Sequence, residues 1–231
     1  MNYKVVFLFL LLFAGCTSRD KSLQKELDNS SENAKTFSRL MAMPDEEAAT
    51  LTDKQLVDLA DNLYTNVGGL AYYKEDSLKL EKALRFLDIA INKNPKNEAA
   101  MLSKVNVYCS LKEYSRAITT INGLFEIKGE YPEGLMFEGM LYEKINKLDS
   151  SAYFYQEALN AYNSRILKDN KLNDKVNRAV LYCLVKNREA GLAEINKLIS
   201  ENPQDEFAKQ VKIGVIENFK RDVFIKNNIE P

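Results

Sequence analysis

One interval governs this chain. Ala83, Ala117 and Ser151 stand 34 residues apart, as do Leu87, Ile121 and Tyr155, and Ala90, Leu124 and Ala158. Tyr108 and Tyr142 keep the same spacing. A fourth copy is offset by six residues and carries Tyr182, Gly191, Ile195, Leu198 and Pro203. Within a copy, a small residue is followed four positions on by a large apolar one and three after that by a third core position. That is helical spacing. Pro95 then stops the helix, since proline suits the turn after a helix end and cannot continue the ladder. A fixed period of this length, filled by two amphipathic runs, predicts tandem helical hairpins.

The pattern resembles the tetratricopeptide repeat family, which places Gly then Tyr in the first helix and Ala, an apolar residue and Pro in the second. Gly69-Tyr72, Gly139-Tyr142 and Ala179-Tyr182 match the first half, and Ala83-Leu87-Pro95 and Gly191-Ile195-Pro203 the second. The chain has no tryptophan, Gly129 stands where the second copy's closing proline belongs, and no proline stops the third copy before Lys171. The resemblance implies an all-α fold, a right-handed superhelical solenoid of about four hairpins over residues 62–97, 98–131, 132–165 and 172–205, with a capping helix over 206–225. Small residues at 83, 117, 151 and 191 are expected where paired helices cross, because axes approach to about 8–10 Å only without bulk there. The tyrosines at 72, 108, 142 and 182 are expected as wedges between helices.

Residues 1–15 read as a signal peptide rather than as part of the fold. Lys4 gives a positive start and Val5–Ala14 is an apolar run too short to span a bilayer as a mature helix. Leu12-Phe13-Ala14-Gly15-Cys16 resembles a bacterial lipobox, with small residues before the cysteine and Phe13 as a departure. The resemblance implies cleavage before Cys16 and acylation of Cys16. Several acyl chains hold a protein firmly where one does not. In lipoproteins of the kind it resembles, Asp after the cysteine often keeps the product at the inner membrane, so Thr17 at that position implies the outer membrane as the expected resting place. Residues 16–50 read as a polar tether, with helix-forming potential at Leu23, Leu27, Phe37, Leu40 and Met41 and a helix start at Pro44-Asp-Glu-Glu47. The folded array is expected over 51–231. Thr52-Asp-Lys-Gln55 fits a capping box ahead of the stripe Leu56, Leu59, Leu63, Val67 and Leu70. Residues 166–171 either lengthen a helix or bulge. The apolar cap (Phe207, Val211, Ile213, Val215, Ile216, Phe219) needs Phe224-Ile225 folded over it or a partner, and the tail 226–231 is expected to fray.

Chemistry is thin. With no histidine, the usual general base and commonest metal ligand are missing. No nucleophile elbow or phosphate-binding loop appears. Glu143, Glu157 and Asp149 fit solvated helix faces. The chain reads as no enzyme, with no cofactor and no metal. A net charge of −1 gives no basic field for nucleic acid. Cys109 and Cys183 lie in hairpins too far apart for a bridge and are expected as free thiols.

A surface remains. First-helix positions of the resembling family line a concave groove, which here implies Asn66, Tyr73, Leu102, Asn106, Cys109, Met136, Met140, Glu143, Val176, Val180 and Leu184. Of the family's peptide-carboxylate clamp only Asn106 fits, because Leu102 stands where a lysine belongs, so capture of an acidic peptide tail is not supported. Met136 and Met140 fit either an adaptable partner surface or the core. The expected function is a lipid-anchored scaffold that binds another envelope protein. The alternative is capture of a small ligand or glycan in nutrient uptake.

Overall fold

The computed structural model describes residues 37–65, 74–129 and 131–230, and all regular structure in them is helical. They form two compact units, which divide at 127/128, with Glu230 belonging to the first. Cys16, Asn66, Tyr73 and the signal segment 1–15 lie outside the described residues.

The first unit contains a helical stretch over 37–42, then α1 (Asp45–Ala48), α2 (Asp53–Thr65), α3 (Lys74–Lys93), α4 (Glu98–Ser110) and α5 (Tyr114–Lys128). The expected capping box opens α2: the Thr52 N–H donates to Gln55 Oε1 at 2.9 Å and the Gln55 N–H to Thr52 Oγ1 at 3.2 Å. α2 pairs with α3, and both carry α4. The core is apolar and closed, with Leu56, Leu63, Leu80, Ala83, Phe86, Leu87 and Ala90 at 0% exposure. Asp53, at the start of α2, accepts 2.9 Å hydrogen bonds from Asn94 and Asn97. Asn97 in turn caps α4 by accepting from the Ala100 N–H. Ser103 donates to Asp61 at 2.6 Å and ties α4 to α2.

Residues 37–50 were read as part of a polar tether in which Phe37, Leu40 and Met41 could form a short helix or a docking segment, and in the structure 37–42 are helical and dock. Leu40, Met43 and Ala48 enter the same core, and α1 packs on α3. Lys82 is 8% exposed, donates to the Met43 carbonyl and lies 3.9 Å from Asp45. Pro44 is the N-cap of α1, one position earlier than a first-turn proline, and Asp45, Glu46 and Glu47 face the positive end of the helix dipole.

The second unit contains α6 (Pro132–Lys144), α7 (Leu148–Asp169), α8 (Leu172–Val185), α9 (Arg188–Glu201), α10 (Glu206–Val211), a π-helical turn (Lys212–Ile216) and α11 (Arg221–Ile229). α6 pairs with α7 and α8 with α9, and α7 also packs on α8. Pro132 sits in the first turn of α6. Residues 166–169 lengthen α7, which Asn170 ends in the left-handed conformation at φ 51°. Small residues mark the contacts within both pairs. A Cβ on Gly139 would meet the Tyr155 ring at 2.6 Å, and one on Gly191 would meet Cys183 Sγ at 2.2 Å and the Ala179 carbonyl at 2.8 Å. Ser151 reaches Glu143 at 3.4 Å, the same eight-residue step that separates Gly191 from Cys183.

The turns also repeat. Lys112 and Asn146 are both left-handed, at φ 59° and 57°, and stand 34 residues apart in the two inter-helix turns they close. Each turn is held alike: Glu113 N–H to Tyr108 O at 2.8 Å and Lys112 N–H to Cys109 O at 2.9 Å, against Lys147 N–H to Tyr142 O at 2.9 Å and Asn146 N–H to Glu143 O at 3.0 Å. Gly129, in place of a proline, ends α5 with φ 67°, a conformation that glycine adopts without a Cβ penalty.

The C-terminal end differs from expectation. One cap helix over 206–225 is replaced by α10, the π-helical turn, a break at 217–220 and α11. Residues 226–229, expected to fray, are the last turn of α11, with Ile229 at 0% exposure. The Phe224 ring lies 5.3 Å from that of Phe219, while Ile213 in the cap stays 61% exposed.

Cys109 and Cys183 are free, as expected, and both are buried. Burial, and then the nearby Glu230 charge, raises the Cys109 thiol far above its ordinary value, and burial raises Cys183 to about 11. The thiolate is the reactive form. Native protein at pH 8 should therefore resist iodoacetamide at both positions, with full labelling only in denaturant. Rapid native labelling of either would contradict their burial.

Candidate functional site: the Glu143–Arg221 cluster

Glu143 lies in the last turn of α6 and Arg221 opens α11. The Arg221 guanidinium forks onto the Glu143 carboxylate, Nε to Oε1 at 2.7 Å and Nη2 to Oε2 at 2.8 Å. Its Nη1 donates to the Leu184 carbonyl at 2.5 Å, at the C-terminal end of α8 where carbonyls lack helical partners and the dipole favours a cation. The guanidinium carbon stands 5.6 Å from the Tyr155 ring centroid. Tyr155 donates its hydroxyl to Glu143 at 2.8 Å.

The electrostatics follow from this geometry. Burial works against ionised Glu143, but the hydrogen bonds from Arg221, Tyr155 and Ser151 and the Arg221 charge outweigh it, so the carboxyl sits below its ordinary range. Burial, followed by the Glu143 charge, drives the Tyr155 hydroxyl well up, and it stays a donor. A carboxylate whose folded value is depressed stabilises the fold above its ordinary pKa and loses that contribution as pH falls through the folded value. Docking of α11 should therefore be constant from neutral pH to about 5 and weaken only below about 4. Hydrogen exchange of the 221–229 amides, corrected for intrinsic rate, checks this. Loss of protection already near pH 6 would contradict it.

Beside the cluster is a cavity of about 400 Å³ lined by Leu148, Ser151, Ala152, Leu184 and Val185 together with Glu143, Tyr155 and Arg221. Leu148 is 60% exposed at its rim. Three of the five guanidinium N–H groups are engaged as above, and the remainder suit an acceptor oxygen. The Ser151 hydroxyl faces a carboxylate that Arg221 and Tyr155 already hold below its ordinary range, which makes it a weak base, and among the described residues no group of His, Cys, Asp and Glu could hold a metal. Among those residues no helix is long and apolar enough to cross a membrane.

Of the groove residues expected from sequence, the structure brings Glu143 and Leu184 together at this cavity. Leu102 and Asn106 are half-buried on α4, in the other unit. Met136, Met140, Val176 and Val180 are at most 1% exposed, and Cys109 is equally closed. They are packing residues here, which for Met136 and Met140 is the core reading that the sequence left open. α6 is covered on most faces, since nine of its thirteen residues are buried, Glu133 and Glu138 among them. Glutamate at 136 and 140 would bury two unpaired carboxylates and unfold the protein rather than selectively block a partner. Arg221 was missed, because its partners lie 78 and 37 residues away and no local pattern marks it.

The fold and cluster together define an all-helical protein of adjacent helix pairs with a polar hook between the end of one pair and the last helix. No protein-family model matches the chain, and no curated protein matches it either.

Proposed function

We propose that this chain is a lipid-anchored interaction scaffold of the bacterial cell envelope, built as a right-handed solenoid of tetratricopeptide-like hairpins and moored through acylated Cys16, on the outer membrane. The observation that carries the hairpin reading is the 34-residue recurrence, in sequence and in the paired turns at Lys112 and Asn146. Ser151 and Gly191, each facing the position eight residues earlier, add to it. The anchoring rests on the apolar run and the Leu12–Cys16 segment. The partner is another envelope protein, and nucleic acid is not among the partners.

A second reading, capture of a small ligand or glycan, draws on the cavity beside Arg221, whose volume of about 400 Å³ suits a small molecule. The scaffold reading is preferred because the arginine there is already committed to Glu143. Cross-linking in intact cells followed by affinity purification tests it, with Cys16→Ala as control. Wild type should yield membrane-borne adducts with a defined protein and incorporate a fatty-acyl label, and Cys16→Ala should lose both. A thermal shift with a sugar or amino acid and no protein adduct would favour the second reading, and an unlabelled wild type would contradict the anchoring that both readings share.

A further inference from the structure

The π-helical turn, the break at 217–220 and the short α11 form a unit that the scaffold reading leaves unused. α11 has nine residues, too few to hold a helix in water unaided. It stands because it docks on α6. Its docking chemistry is explicit: Arg221 at the start, then Phe224, Ile225 and Ile229 at positions three, four and eight on, all three at most 5% exposed. That spacing is one helix face. The receiving side offers the Glu143 carboxylate, the hydroxyls of Ser151 and Tyr155 and the Leu184 carbonyl at the end of α8, which accepts from Arg221. Without a cation this receiving side is a part-buried carboxylate facing a helix C-terminus, two like charges in effect.

We infer that α11 is an internal ligand, and that the partner docks by replacing it with an amphipathic helix of the same chemistry: an arginine at its start and apolar residues three, four and eight positions later. The inference rests on the scaffold reading and names the partner element. The preceding π-helical turn, Lys212–Ile216, is an arrangement found mostly at functional positions, and Gly214 within it meets no neighbour that an added Cβ would touch. The tether gives α11 an effective concentration on the order of millimolar, so a free helix competes only if it binds tighter or if α11 is weakened.

The probe is a fluorescent synthetic peptide of residues 217–231, titrated by anisotropy against the full chain in detergent. Wild type should bind it weakly, because its own α11 fills the place. Arg221→Ala/Phe224→Ala should bind it at least tenfold tighter, and adding Glu143→Gln should abolish that gain. Hydrogen exchange must show 221–229 exposed and α7–α9 still protected. Should the double variant unfold, Arg221→Ala alone carries the test with a smaller gain. Equal affinity for wild type and variant, no binding to either, or a variant that instead dimerises by exchanging α11 between copies would overturn the inference. A flat titration leaves the scaffold reading standing on the cellular cross-linking, which does not use the peptide.

Discussion

Replacing Arg165 with alanine is expected to cost about 3–5 kcal/mol of stability, the range for removing one partner from a buried charge cluster. Arg165, near the end of α7, spans two carboxylates. Its Nη1 donates to both oxygens of Glu133 at 3.1 and 2.9 Å, and its Nη2 and Nε grip Asp174 at 2.6 and 3.2 Å. Glu133 and Asp174 are 5% and 2% exposed, at the starts of α6 and α8. Three helices therefore meet at one guanidinium. Burial opposes its charge, but the two carboxylates hold its pKa above the ordinary arginine value. Alanine would leave two buried anions facing each other. Lysine should recover only part of the loss, since an ammonium cannot fork onto both carboxylates. The triple change Arg165→Met, Glu133→Gln, Asp174→Asn should recover most of it, since no buried charge remains. Urea unfolding measures all three, and a loss below about 1 kcal/mol for Arg165→Ala would show the cluster to be solvated.

Valine in place of Gly191 is expected to cost about 3 kcal/mol, the upper part of the overpacking range. Even a Cβ would sit 2.2 Å from Cys183 Sγ and 2.8 Å from the Ala179 carbonyl. The thiol can turn away, but the carbonyl belongs to the backbone of α8 and cannot. Cys183→Ala should therefore rescue the variant only in part. Glycine in a helix otherwise costs about 1 kcal/mol relative to alanine, so its presence in α9 reflects the packing and not helix formation. Thermal unfolding of the single and double variants reads this directly. A neutral Gly191→Val would mean that α8 and α9 do not approach as described.

These two sites also mark what the sequence could and could not reveal. Gly191 was legible, because small residues recur at a helical period and close approach has a local signature. The Thr52–Gln55 capping box and the proline stops were legible for the same reason: the groups that interact lie within a few residues. Arg165 and Arg221 were not. Their partners lie 9 to 78 residues away, and a charged residue bound for a buried pair looks the same in sequence as one bound for water. Glu143 was read both as a solvated face and as a groove position, and only its meeting with Arg221 decides its state. Residues 37–50 were legible only in part: Phe37, Leu40 and Met41 marked a segment able to form a helix or dock, but its burial depends on α3 being there to receive it, and nothing local says so. The methionines of α6 were ambiguous in principle, since in that helix charged residues fall at buried positions as well as half-buried ones and do not mark which side stays open.

The most direct test of the scaffold is a photo-cross-linking amino acid placed singly at Leu148, on the rim of the Glu143–Arg221 cavity, and at Lys197, exposed on α9, in the full chain in living cells. The account predicts one protein adduct from position 148, found in the membrane fraction, absent from position 197 and lost with Cys16→Ala. The same adducts from both positions, or none from 148 in cells whose chain is membrane-bound, would contradict it.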